Sequence, residues 1–239
     1  MSKERYNLNE AIIPLNINGL HGRMLRVAPQ NKKRREILMV YGHHASIERM
    51  IGFVEELNKY GAVTVPDLPG FGGMESFYSI GEKPSLDNLA DYLAAFIKLR
   101  YKRRRITIMA MSLGFLITTK MLQKYPEIAK RVDILVSVVG FAHRDDFILP
   151  RRIKWPLRTM AEIFSRKYPA WFMRTFVLRA PIIRACYKLQ GSSHSKLAGA
   201  DKQEVDKRIN FEIGLWQSND IRTYMDTTIS MLKADTCDV

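Results

Sequence analysis

Between residues 35 and 141 the chain alternates short apolar, β-rich runs with stretches of helical periodicity, and this alternation restricts the fold more than any other feature. "REILMVYG", "RITIMAMS" and "DILVSVVGF" read as strands, and "AVTVPDLPGFGG" as a strand running into a Gly/Pro loop. "SIERMIGFVEELNKYG", closed by Gly61, "SLDNLADYLAAFIKLRY", with Ser85 as N-cap, and "FLITTKMLQKYPEIAKRV" read as helices. Parallel neighbours need a long crossover, usually a helix, so the rhythm predicts an α/β fold with a mostly parallel sheet and crossover helices. Ahead of it, "LNINGLHGRMLRVAP" predicts a hairpin turning at Asn18-Gly19 or His21-Gly22. From about Phe147 the strand signals stop. The expected organisation is therefore a core over residues 1–146, a helical cap over 147–232, and the start of a return to the core over 233–239.

One serine interrupts this apolar pattern. In Ala110-Met111-Ser112-Leu113-Gly114, small residues stand two positions either side of it, between a predicted strand and a predicted helix. A serine on a sharp strand-to-helix turn needs small neighbours because the backbone passes close to adjacent elements and the central residue is forced into a strained conformation. Such a nucleophile elbow raises Oγ clear of the sheet and aims free helix N–H groups at a developing negative charge. The glycines of "GFGGME" do not complete a dinucleotide fingerprint or a P-loop.

With these elements in this order the sequence resembles the α/β-hydrolase superfamily, in the serine-nucleophile branch with a helical cap after the sixth strand. Three stretches carry the likeness: the elbow at 110–114, with alanine in place of the usual first glycine; Tyr41-Gly42-His43-His44, similar to the family's His-Gly oxyanion loop with tyrosine in the histidine's place; and "DLPGFGG", Asp67 to Gly73. The resemblance implies Ser112 as nucleophile, the backbone N–H groups of His43 and Leu113 as oxyanion donors, and no metal or organic cofactor. Dehalogenases and epoxide hydrolases of this fold carry aspartate where this chain has Ser112.

The family places its acid and then its histidine after the cap, on core strands that this sequence does not reach, so the C-terminal core strands are expected to be missing. Two explanations stand open: a fragment of a complete hydrolase, or a natural short form lacking the last strands, with an exposed sixth strand. Within the chain, His143, just past "DILVSVVGF", is a candidate base and Asp145 and Asp146 are candidate acids; His194 reads as a solvated loop residue.

The net charge of +14 favours anionic partners. It is concentrated in residues 151–189, where ten Lys/Arg face one acid, Glu162, and Trp155, Phe164, Tyr168, Trp171, Phe172, Phe176 and Tyr187 are interleaved. Such helices suit either a cap lining an apolar acyl pocket or peripheral contact with an anionic membrane. Nucleic acid is disfavoured, since no recognised module accompanies the aromatics. "MSKERYNLNE" has no apolar core of a signal peptide, and no run approaches the roughly 20 apolar residues that span a bilayer. Cys186 and Cys237 are too few for a disulfide framework, so a cytoplasmic location is expected, with peripheral contact at the membrane as the alternative that the basic segment leaves open.

The leading expectation is a serine hydrolase cleaving a carboxylic ester of an apolar acyl group through an acyl-serine intermediate. Its alternatives are a carbon–carbon bond hydrolase using the same serine, and a non-catalytic lipid- or partner-binding module.

Overall fold

The computed structural model describes residues 11–30, 35–146, 150–190 and 202–236. Six strands, β1 (Ile12–Ile17), β2 (Leu20–Val27), β3 (Glu36–Val40), β4 (Ala62–Pro66), β5 (Ile106–Met111) and β6 (Val132–Val138), form one sheet in the order β1-β2-β4-β3-β5-β6. β1, β2 and β4 pair antiparallel in sequence, whereas β3 pairs parallel with β4 and β5, and β5 with β6. Of the two candidate turns, Asn18-Gly19 closes the hairpin, with Ile17 opposite Leu20.

Helices α1 (Ile47–Leu57), α2 (Leu86–Tyr101) and α3 (Leu113–Lys124), followed by the single turn α4 (Pro126–Ala129), connect the strands. Every residue of β3 and β4 is buried, as expected of strands covered on both faces. Against them pack Leu89, Leu93, Phe96 and Ile97 of α2 and Leu113, Leu116, Ile117 and Met121 of α3. Ser85 caps α2 as expected, its Oγ accepting from the Asn88 N–H at 3.1 Å. Gly61 does not close α1, which ends at Leu57. Asn58 stops it, because its buried side-chain amide donates to the carbonyls of Ala28 (2.6 Å) and Gly61 (3.2 Å) and so ties the turn to β2.

β6 is an edge strand, and Ile134, Leu135 and Val136 on it are exposed. Beyond it the described residues are helical: α5 (Arg151–Phe164), α6 (Lys167–Phe172), a π turn (Met173–Val177), α7 (Ala180–Gln190), α8 (Lys202–Ser218) and α9 (Ile221–Leu232). Ala161, Ala170, Ile221 and Met225 form a small core joining α5, α6 and α9, and Ile183, Ile209 and Ile213 join α7 to α8. After α9 the chain runs beside the end of β6, where Arg144 N–H donates to Ala234 O (2.8 Å) and Thr236 N–H to Ala142 O (3.1 Å). Among the described residues no helix is long and apolar enough to cross a membrane. The expected core–cap boundary, His194 and Cys237 fall against or within segments outside the described residues.

Candidate active site

Backbone strain among the described residues concentrates at the sheet's carboxyl edge. Five described non-glycine residues have positive φ; Asn18 and Lys102 sit at a hairpin turn and a helix end, while His44, Ser112 and Val139 lie just past β3, β5 and β6. A β-branched residue such as Val139 at φ 45° is an outlier held only by its surroundings, and such strain clusters where a site is pre-organised.

Ser112 follows the last residue of β5 with φ 47° and ψ −119°, and α3 starts at the next residue. Its N–H donates to Val138 O at 3.2 Å, pinning the turn to the end of β6, and its carbonyl accepts from Phe115 N–H at 2.9 Å. The small residues do what their spacing predicts. A Cβ on Gly114 would stand 2.5 Å from Val40 O and closer still to Tyr41 O, so only glycine lets α3 start against the end of β3. A Cβ on Gly42 would lie 3.0 Å from Ser112 Cβ, which places the β3 loop directly on the serine. The amides of Leu113, the first of α3, and of His43, next to Gly42, therefore belong to the same edge as Ser112. The first N–H groups of a helix have no partner within it.

Two long-range networks hold that loop. Asp67, at the end of β4 and fully buried, accepts four hydrogen bonds: Tyr41 OH (2.8 Å) and Ile47 N–H (3.1 Å) on Oδ1, Arg23 Nε (2.8 Å) and Gly73 N–H (2.8 Å) on Oδ2. Burial raises its pKa, while the Gly73 amide, Arg23 and Tyr41 pull it back down. Burial likewise lifts the Tyr41 hydroxyl well above the usual phenol range. Tyr41 and Ile47 bracket Gly42-His43-His44, so one carboxylate fixes both ends of the loop.

From the other side come α8 and α9. Asn219 Oδ1 accepts from Gly72 N–H (3.0 Å), Asp220 N–H donates to Gly70 O (2.8 Å), and Ser76 Oγ meets Thr223 Oγ1 at 2.8 Å. His44 stacks on Trp216 at 4.2 Å, with Nδ1 3.1 Å from the Asn219 amide nitrogen and Nε2 3.4 Å from Glu212, which also pairs with Arg49. The sequence carried no signal for Glu212, Asn219 or Tyr224 at this edge, since the residues they meet there, Arg49, His44, Gly72 and His43, lie more than a hundred residues earlier.

The His43 ring stacks on Tyr224 at 4.1 Å, and its Nε2 donates to Tyr224 O at 3.0 Å. Burial lowers its pKa from 6.5 to about 4, outweighing the Tyr224 carbonyl, which raises it, so the ring is neutral at pH 7. The unfolded chain binds this proton below about pH 6.5 and the folded chain only near pH 4. Stability is thus expected to fall by on the order of 2 kcal/mol as pH drops through that window, discounted for the ring's partial contact with solvent. Chemical denaturation at pH 7 and pH 4.5 checks this, and His43→Gln should lack that part of the pH dependence.

His143, Asp145 and Asp146 lie together just past β6. Asp146 accepts from the N–H groups of Ala142 and His143, both at 2.9 Å, and these bonds lower its pKa. His143 has Nδ1 3.3 Å from Asp145 and Nε2 3.7 Å from Asp235. The Ser112 side chain makes no capping hydrogen bond to α3, and among the described residues none of the hydrogen bonds involves its Oγ. The expected pocket-lining aromatics mostly face outward: Trp155, Tyr168, Trp171, Phe172 and Phe176 are exposed, and Phe164 and Tyr187 are half-buried.

A mostly parallel sheet with this strand order and a strained serine at the β5–α3 turn defines an α/β-hydrolase fold. The chain belongs to the family described as serine aminopeptidase, S33, whose profile matches residues 31–210. Among solved structures, a protein of Pseudomonas aeruginosa PAO1 described as a probable hydrolytic enzyme is 18% identical with a TM-score of 0.61, covering 92% of this chain and 65% of that one. A thermophilic esterase from Thermogutta terrifontis is 18% identical with a TM-score of 0.59, covering 94% and 73%. The enol-lactonase from Burkholderia xenovorans LB400 is 14% identical with a TM-score of 0.63, covering 94% and 75%. At these identities the likeness establishes the fold alone, and this chain spans 65% of the length of the first of them. No curated protein matches the sequence.

Proposed function

We infer that the chain carries the nucleophile of a serine hydrolase that cleaves a carboxylic ester with an apolar acyl group. The observation behind this is Ser112 at φ 47° on a strand–helix turn, with Gly42 packed on its Cβ. Ser112 Oγ attacks the carbonyl carbon as its proton passes to a base, and the carbonyl oxygen becomes an oxyanion received by the Leu113 and His43 amides. Collapse expels the alcohol with a proton, and water then cleaves acyl-Ser112. An apolar acyl group suits the site because Val139, 79% exposed, directly follows the residue that bonds the Ser112 amide. In this reading helices α5 to α9 act as the lid, joined to the 67–76 loop through Asn219 and Thr223. Esterases and an enol-lactonase among the structural neighbours are compatible with this chemistry.

His143, with Asp145 or Asp146, stands as base and acid only by its place after β6; its ring already faces Asp145 and Asp235. We therefore favour a base outside the described residues. A carbon–carbon bond hydrolase would use the same serine and amides, and substrate profiling separates the two. A second reading, a non-catalytic lipid- or partner-binding module, is favoured by the one fact that no described group bonds Ser112 Oγ.

The test is labelling with a fluorophosphonate probe, with the adduct mapped by mass spectrometry. Ser112 is expected to carry the adduct, Ser112→Ala to lose it, and His143→Gln to keep it. A folded chain that takes no label at Ser112 fails the hydrolase reading and leaves the binding module. Loss of labelling in His143→Gln moves the base to His143.

A further inference from the structure

The lid helices carry large apolar side chains on their outer side. Trp155, Tyr168, Trp171 and Phe172 are 73%, 81%, 60% and 52% exposed. Three rings near the end of α6 pack on one another instead of on the core: Trp171 meets Phe176 edge-on at 5.9 Å, and Phe172 meets Phe176 at 5.1 Å. The π turn makes this possible, because its wider winding brings residues five apart, Trp171 and Phe176, to one side. Arg174 anchors the turn from beneath by donating to the carbonyls of Asn219 (2.9 Å) and Gln217. The result is a braced aromatic knob in water, and a contiguous exposed apolar patch marks an interaction site.

The same segment is rich in cations. Within residues 151–189 ten Lys/Arg face one acid. Among the described residues Arg158 and Arg184 are ion-paired, with Glu162 and Asp206, and Arg166 also acts on Glu162, whereas Arg152, Lys167, Arg179 and Lys188 are exposed and make no salt bridge to a described carboxylate. The Arg179 guanidinium lies 5.9 Å from the Phe176 ring. Protruding rings flanked by unneutralised cations match a bilayer interface, where aromatics settle at headgroup depth and Lys/Arg meet anionic headgroups. Stacked bases fit less well, because Phe176 is already contacted by two rings and a guanidinium.

We propose that the knob of Trp171, Phe172 and Phe176 inserts into the surface of an anionic lipid bilayer, with Lys167 and Arg179 on the headgroups. The inference is independent of the role of Ser112. Its test is sedimentation of the whole chain with phosphatidylcholine vesicles, with and without about one third phosphatidylserine. The expected result is binding to the anionic vesicles alone, release as sodium chloride rises, and a blue shift of tryptophan emission. Trp171→Ser with Phe172→Ser, and separately Lys167→Glu with Arg179→Glu, should each weaken binding by at least about tenfold. All four side chains are exposed, so the variants should melt with the parent, and the comparison is made only between folded proteins. No binding to anionic vesicles overturns the proposal, as does binding indifferent to the aromatic pair. Dimerisation lost in the aromatic variant, or retention on RNA, each without vesicle binding, overturns it in favour of a second copy or a nucleic acid.

Discussion

Asp67→Ala is expected to destabilise the chain by about 3–5 kcal/mol. The carboxylate is fully buried and receives Tyr41 OH, Ile47 N–H, Arg23 Nε and Gly73 N–H. Alanine would leave four donors facing an apolar methyl, one of them a guanidinium, and water cannot replace the carboxylate without opening the sheet edge. Removing one partner of a buried polar network costs the desolvation of everything left behind, which exceeds the net value of the bonds lost. Asp67→Asn should recover only part of the loss, because its amide N–H would point at a donor on one side or the other. Urea unfolding followed by far-UV circular dichroism measures both. A loss under ~1 kcal/mol for alanine would mean the network contributes little. The same variant should loosen the Gly42–His44 loop, since Tyr41 and Ile47 hold its two ends.

Gly114→Ala is expected to cost more than about 3 kcal/mol, a large effect for one methyl group. Its Cβ would fall 2.5 Å from the carbonyl oxygen of Val40 and nearer still to that of Tyr41. Those are backbone atoms of a central strand and the residue after it, so relief requires α3 to withdraw from β3 rather than a side chain to rotate. Withdrawal would also shift Ser112, whose φ of 47° is set by the same turn. Thermal melts of Gly114→Ala beside Gly52→Ala, where a Cβ meets nothing within 4 Å, separate the clash from the general effect of replacing a helical glycine. Equal melting temperatures would show that the approach of α3 to β3 is soft.

The elbow was legible because its determinants are contiguous. Ala110, Ser112 and Gly114 sit two apart between an apolar strand and a helix, and the backbone demands small residues at that spacing. The parallel sheet was legible for a similar reason, each strand and helix stating its period locally. What failed to read out depended on groups far apart in the chain. Gly61 looked like the close of α1, yet Asn58 stops that helix by reaching Ala28, thirty residues earlier. The contact of His143 with Asp235, ninety-two residues later, likewise had no local signal. The "DLPGFGG" loop was marked by its likeness, while the task of Asp67 emerged only when Arg23 and Tyr41 came to it.

The aromatics of 151–189 were open to two arrangements, inward or outward, because helical periodicity states a face but not what covers it. The structure leaves Trp171 and Phe172 exposed and brings Phe176 to them through a π turn that no local pattern announced. By itself, then, the sequence determined the order of strands and helices, the strained serine turn and the charge on the helical segment, all of which follow from neighbours a few residues apart. Only the tertiary structure decided which loops clamp the serine edge, where the histidines point and which rings meet water. Those outcomes depend on contacts between residues up to nearly two hundred positions apart, and packing selects among faces that the local sequence leaves equivalent.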